Sequence, residues 1–248
     1  MAYELFKWLL FVPIIRFVLR GKVEGEENIP KHGPAILASN HIAAADAYVF
    51  PALIRRQVLY PAKAELFRGD RGIGSKVVAW FLKAINQVPM DRADPKDRLA
   101  ALAPILQRLV DGGLVAIYPE GTRSVDGRLY KGKTGVARLA LAANVSVIPV
   151  AMFNTYKVKG PLGIPWLKRP RAVIGKPLRF DQYVAGVDDR EMLRWVTDEV
   201  MHAIQQLSGQ SYVDVYGSSM KHGSVSAEKA AEKELPRPGG GEPPSIAS

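Results

Sequence analysis

Apolar residues in this chain follow two rhythms that alternate along its length. Short unbroken apolar runs at 35–38, 114–118, 145–151 and 171–175 read as buried strands. Longer stretches at 43–54, 74–85, 96–111, 133–143 and 189–207 carry apolar residues at helical spacing. From residue 23 to about 180 the two patterns take turns. That order predicts an α/β fold, a single domain whose mostly parallel or mixed central sheet is covered by helices.

The two ends break the rhythm. Leu5 to Arg20 is dense in aliphatic and aromatic residues, but its longest uncharged stretch runs only from Trp8 to Ile15. A spanning helix needs roughly 20 apolar residues. Pro13 kinks the segment, and Arg16 without a small-residue cleavage site argues against a signal peptide. Short apolar helical pieces edged by Lys7, Arg16, Arg20 and Lys22 suit the membrane interface, so residues 1–22 are expected to form an N-terminal membrane-associating helical segment. A core helix is the other reading of the same residues. Residues 23–216 form the expected domain. From residue 217 to 248 the chain turns to Gly, Ser, Pro, Glu and Lys, a composition expected to be a disordered tail.

The formal net charge of +10 belongs to the body, because from Lys221 onward four basic residues (Lys221, Lys229, Lys233, Arg237) balance four acidic ones (Glu228, Glu232, Glu234, Glu242). A basic body favours anionic partners: a membrane surface, nucleic acid or phosphorylated small molecules. Recognition motifs for nucleic acid are absent, so no nucleic-acid partner is expected. A cationic stretch, Lys157, Lys159, Lys168, Arg169, Arg171 and Lys176, surrounds Trp166 and reads either as a headgroup contact or as a solvated loop. The chain has no cysteine, which excludes disulfides and thiolate nucleophiles. His32, His41, His202 and His222 stand apart from one another, so no metal site is expected.

Candidate chemistry gathers just past two of the expected strands, where α/β sheets build their sites. After the run Ala35–Ala38 comes Ser39-Asn40-His41, with Asp46 four residues beyond Ile42. Within one helix the two side chains point in different directions, since each residue turns about 100°. They meet if His41 lies in the loop before a helix and Asp46 in its first turn, with Asn40 as the cap. A carboxylate on one ring nitrogen then leaves the other free to accept a proton, which is the base half of a hydrolase triad. With the nucleophilic hydroxyl on the substrate, the reaction becomes acyl transfer to an alcohol. On spacing alone, a capping histidine and a solvated aspartate fit as well. After the second strand comes Tyr118-Pro119-Glu120-Gly121-Thr122-Arg123-Ser124, where Gly121 permits a tight turn and Arg123 offers a planar fork to a phosphate. A surface turn with a solvated arginine fits this segment too. A third segment, Gln87 to Arg92, places another arginine after a short apolar stretch.

Taken in order, these segments resemble the glycerolipid acyltransferase family, most closely the bacterial lysophosphatidic acid acyltransferases. Asn40-His41 through Asp46 looks like the family's His-x4-Asp motif and Asp91-Arg92 closes a second. Asn86 and Pro89 depart from it, standing where the family usually has a glycine and an aromatic. Tyr118 to Ser124 is close to complete as a third, and Val147-Ile148-Pro149-Val150 looks like a fourth. The resemblance implies that His41 is the general base and Asp46 its orienting acid. It further implies that Lys63, Arg92 and Arg123 hold the glycerol phosphate, that Glu120, Gly121 and Thr122 shape that pocket, and that Val147–Val150 lines it.

The implied reaction moves an acyl group from acyl-CoA or acyl carrier protein to lysophosphatidic acid, giving phosphatidic acid. No cofactor beyond the thioester donor is implied. The implied location is peripheral, at the cytoplasmic face of the cell membrane, where acceptor and product reside. Glycerol 3-phosphate or a glycolipid stays open as acceptor, as does a basic membrane-binding module whose motifs are idle.

Overall fold

Ala35–Ser39 is buried along its whole length, as a strand covered on both faces must be. In the computed structural model, which describes residues 7–84, 87–90, 100–160 and 165–245, this strand lies near the middle of the main sheet. After two wide helical turns, Lys7–Phe11 and Pro13–Val18, come β1 (Lys22–Glu24), β2 (Ala35–Ser39), α1 (Asp46–Leu53) and β3 (Pro61–Lys63). Then follow α2 (Ile73–Ala84), β4 (Val88–Met90), α3 (Ala103–Val110), β5 (Leu114–Ile117), β6 (Leu129–Tyr130) and α4 (Gly135–Ala143). The next elements are β7 (Val147–Phe153), β8 (Val158–Lys159), β9 (Pro165–Trp166), β10 (Arg171–Ile174) and α5 (Arg190–Ser208). Last come β11 (Tyr212–Val213), α6 (Gly217–Lys221), α7 (Ala227–Ala231) and β12 (Glu234–Leu235).

The five-stranded sheet runs β1-β10-β7-β2-β5 and is mixed. β2 pairs in parallel with β5 and β7, β7 pairs antiparallel with β10, and β10 pairs in parallel with β1. The C-terminal ends of β2, β5 and β7 therefore share one edge with the N-terminal ends of β10 and β1. Side chains alternate along each strand and feed two cores. Ala35 and Leu37, Leu114 and Ala116, and Ile148, Val150 and Met152 face one side, packed on Val49, Phe50 and Leu53 of α1. Ile36 and Ala38, Val115, and Val147 face the other, packed on α3, α4 and α5. The expected α/β architecture is the observed one.

The N-terminal segment is divided between the two readings its composition allowed. Val12, Ile15 and Leu19 are buried in the core against α1, whereas Trp8, Leu9, Ile14, Phe17 and Val18 are exposed, Phe17 to 75% and Leu9 to 72%. Its first two cations do not edge the exposed face. Lys7 is buried and its Nζ donates to the carbonyl of Arg55 at 2.6 Å, while Arg16 Nη2 donates to that of Leu53 at 2.5 Å. Leu53 is the last residue of α1, so its carbonyl has no intrahelical donor, and Arg55 lies just past the helix's end. Among the described residues no helix is long and apolar enough to cross a membrane.

The segment expected to be a disordered tail forms elements through Leu235 and contacts the body as far as Gly241. β12 pairs with β11, which pairs with β6, and Ala230 is buried with Tyr130 and Val213. Arg237 Nη2 lies 2.6 Å from Glu199 Oε1 on α5. The small residues that read as disorder permit close packing here. A Cβ on Gly217 would stand 3.0 Å from the Thr122 methyl, and one on Gly239 would stand 2.6 Å from the Cβ of Asp198.

Candidate active site

β2 ends at Ser39, and the next residue continues the sheet with its side chain rather than its backbone. Asn40 Oδ1 accepts from the amide of Met152 at 2.7 Å, and its Nδ2 donates to the Met152 carbonyl and, at 2.8 Å, to Gln210 Oε1. Asn40 is therefore not the cap of α1, and Ala45 occupies that position. With Asn40 clamped to β7, the chain turns at His41 into the loop before α1.

His41 and Asp46 meet as the loop-then-helix placement requires. Asp46 opens α1 and is fully buried, and its Oδ2 lies 2.9 Å from His41 Nδ1. The same oxygen accepts from the amides of Ile42 and Ala43, each at 2.9 Å. Its other oxygen accepts from Thr155 Oγ1 at 2.5 Å. Four donors hold the carboxylate without a cation, which satisfies its buried oxygens and fixes its geometry. A proton on Nδ1 faces Asp46, so Nε2 is the nitrogen left to accept one. The His41 side chain remains 17% exposed, enough to meet a ligand.

The ring of His41 stacks on that of Tyr118, with centroids 3.8 Å apart and planes 11° apart. Burial holds the Tyr118 phenol well above its ordinary range, with Tyr60 and the Asp46 carboxylate adding to the effect. It stays neutral, a flat apolar support for the imidazole. Tyr118 opens the loop from β5 to β6, and that loop is tied to the His41 loop twice. Ser124 donates its amide to the His41 carbonyl at 2.7 Å, and the His41 amide donates to Glu120 Oε2 at 3.1 Å. Glu120 Oε1 accepts from the amide of Tyr130 at 3.0 Å. Burial pushes the Glu120 carboxyl up to about 8, against the pull of those two amides. Glu120 thus shapes the site from behind, gripping backbone on both sides.

The remaining expected site residues are less tightly gathered. Gly121 takes the left-handed conformation, φ +69°, in a turn closed by its amide on the Tyr118 carbonyl. Thr122 is half-buried and sets its methyl against Gly217 of α6. Arg123 is exposed at the tip. Lys63 ends β3 and its backbone stands opposite Met90 of β4, two positions before Arg92. Arg92 and the side chain of Lys63 lie outside the described residues, as do Asn86 and Asp91. Val147, Ile148 and Val150 are fully buried and serve as core strand.

Thr155 carried no motif. Its only signal in the chain is a polar residue just past the C-terminal end of the 145–151 run, the same position relative to its strand that His41 has to β2.

The sequence model of the Acyltransferase family matches residues 20–153, more than half of the chain and the whole of this constellation up to Phe153. The chain belongs to the acyltransferase family. The chain is 32% identical over 160 residues to the chloroplastic 1-acyl-sn-glycerol-3-phosphate acyltransferase LPAT1 of Arabidopsis thaliana, covering 63% of this chain and 43% of that protein. It is 30% identical over 148 residues to a 1-acyl-sn-glycerol-3-phosphate acyltransferase of Borreliella burgdorferi, covering 60% of this chain and 54% of that protein. The chain spans about half the length of the curated relatives it matches. A similar solved structure is the 1-acyl-sn-glycerophosphate (LPA) acyltransferase PlsC of Thermotoga maritima. It aligns with a TM-score of 0.58 at 27% identity, over 79% of this chain and 76% of that one. The acyltransferase fold thus carries a preorganised imidazole–carboxylate pair at the edge of its sheet.

Proposed function

We propose that the protein transfers a fatty acyl group from a thioester donor to the free hydroxyl of lysophosphatidic acid, giving phosphatidic acid. The observation that carries this reading is the His41–Asp46 pair, with Nδ1 and Oδ2 2.9 Å apart and Asp46 held by three further donors. Relatives named 1-acyl-sn-glycerol-3-phosphate acyltransferase supply the substrate class.

In the reaction, His41 Nε2 accepts the proton of the acceptor hydroxyl as its oxygen bonds to the thioester carbonyl carbon. The tetrahedral adduct collapses, the C–S bond breaks, and the leaving thiolate takes the proton from the imidazolium. An ester and a free thiol result, and His41 returns to its starting state. Asp46 stabilises the imidazolium throughout and keeps its own charge. Arg123, Lys63 and Arg92 are the cations that would hold the acceptor phosphate, and Gly121 and Thr122 set the loop that presents Arg123. The exposed Trp8, Leu9, Ile14, Phe17 and Val18 would rest in the bilayer interface, so that acceptor and product need not enter water.

A donor and acceptor panel tests this reading. Purified protein is given acyl-CoA or acyl carrier protein thioester with lysophosphatidic acid, glycerol 3-phosphate or a lyso-glycolipid, and products are resolved by mass spectrometry. The expected product is phosphatidic acid from lysophosphatidic acid. Turnover of glycerol 3-phosphate or the glycolipid alone contradicts the acceptor, and no ester from any pair contradicts the reaction.

A further inference from the structure

The cations that do stay outward converge on one cavity. Arg20, Lys22, Asn154, Arg169 and Arg171 line a space of about 390 Å³. They arrive from three places: the chain entering β1, the turn after β7, and the chain entering β10. Lys22 donates its amide to the Pro170 carbonyl at 3.0 Å, and Asn154 Nδ2 donates to the Arg169 carbonyl at 3.3 Å. Arg171 stacks over the Phe153 ring at 4.4 Å and lies 3.3 Å from Glu24. Among the described residues Glu24 is the one carboxylate paired with these four cations, so the cavity keeps a surplus of positive charge.

Its backbone is also unusual. Four non-glycine residues among those described have left-handed φ, and three of them, Arg20 (56°), Asn154 (58°) and Arg169 (52°), line this cavity. Asn tolerates that conformation, but an arginine held there is strained. Such strain collects where a ligand needs side chains aimed against local preference.

The cavity is distinct from the dyad. It lies at the edge of the sheet that carries His41, but at β10 and β1. Two strand spacings, roughly 10 Å, separate β10 from β2. None of its five lining residues is a hydrogen-bond partner of His41 or a donor to Asp46. The exposed apolar residues Phe17 and Val18 immediately precede Arg20, at most about 8 Å away between the Cα atoms of Val18 and Arg20. Arginine forks, a cavity too large for one inorganic ion and an adjoining apolar face fit one ligand chemistry. We infer that this cavity seats the phosphate headgroup of an anionic membrane phospholipid, a bystander lipid rather than a substrate, whose acyl chains run out along Phe17 and Val18. The inference rests on the interfacial part of the proposed function and not on its chemistry.

Replacing both strained arginines by asparagine, Arg20→Asn with Arg169→Asn, removes two cations and keeps side chains that accept left-handed backbone. Binding to vesicles of phosphatidylcholine alone and of equal parts phosphatidylcholine and phosphatidylglycerol is measured by sedimentation. Lys157→Asn, an exposed cation outside the cavity, is the charge control, and thermal melts report folding. The double variant is expected to bind the anionic vesicles about 30-fold more weakly than the wild type. Its binding to phosphatidylcholine and its KM for acyl-CoA should be unchanged, its melt should match or exceed that of the wild type as the left-handed strain is relieved, and Lys157→Asn should bind like the wild type. An unchanged preference for anionic vesicles overturns the inference, and so does an equal loss in Lys157→Asn. A raised KM for acyl-CoA with intact vesicle binding also overturns it and assigns the cavity to the donor's phosphates. Vesicle binding needs no turnover, so this result and the donor and acceptor panel can fail independently.

Discussion

Thr155 sets how firmly Asp46 can hold His41. Its hydroxyl is the only donor to Asp46 Oδ1 among the described residues, and it reaches the carboxylate from the turn after β7. Thr155→Val keeps the shape and removes the donor. A hydrogen bond to a charged group contributes about 1.5–3 kcal/mol, so kcat should fall roughly ten- to hundredfold with little change in the acceptor KM. Steady-state kinetics check this.

Tyr118 offers a cleaner contrast. Its buried hydroxyl has no hydrogen-bond partner among the described residues, so its ring, not its oxygen, supports His41. Tyr118→Phe should keep activity and match or exceed wild-type stability. Tyr118→Ala should cost about 3–5 kcal/mol in denaturant melts and lose most activity.

Glu120 makes stability depend on pH with a defined sign. Its folded value of about 8 stands above the ordinary 4.5, so between those values the native state holds a proton that the unfolded chain has lost. Its contribution to stability is therefore greatest below about 4.5, declines as pH rises to about 8, and is flat above. Glu120→Gln cannot follow that decline, because its amide does not titrate. One of its two atoms must also face a backbone N–H as a donor. The variant should be less stable than the wild type at pH 5 by a few kcal/mol, with the gap closing toward pH 8. Urea midpoints at the two pH values check this.

At the scale of elements, the strands and long helices were legible because their apolar periods are unambiguous. The runs at 35–38, 114–118, 145–151 and 171–175 correspond to β2, β5, β7 and β10. What joins them at the site was not, since it depends on register. Asn40 finds Met152, and Thr155 finds Asp46, only because β2 and β7 lie side by side with Ser39 opposite Val150. His41 and Asp46 were legible as a pair because their contact is local. Lys7 and Arg16 were misread for a related reason, since composition cannot show that α1 ends beside them. The register argument has a test. Asn40→Ala removes the two hydrogen bonds that extend the β2–β7 ladder and a third to Gln210, and strands the buried amide and carbonyl of Met152. It should destabilise the protein by about 2–4 kcal/mol and reduce activity as His41 shifts, measured by melts and turnover together.

Over the whole molecule, the catalytic end of the sheet serves three roles side by side. The dyad sits past β2, the motif loop after β5 braces it through Glu120 and Ser124, and the basic cavity lies across β7 at β10 and β1. Residues 217–241 belong to this arrangement as well. Their small side chains, which read as disorder, let α6 press Gly217 against Thr122, and β12 adds a third strand to the β11–β6 pair. Composition reports average hydrophobicity and is blind to such close packing.

Base catalysis of acyl transfer by the His41–Asp46 pair joins these observations. Formation of phosphatidic acid from lysophosphatidic acid and acyl-CoA, compared between the wild type and His41→Ala, tests it most directly. Positioned general-base groups contribute about 10²–10⁴ in rate, so the variant should lose at least about a hundredfold in turnover while its melt and vesicle binding stay those of the wild type. Equal turnover by the two proteins would contradict it.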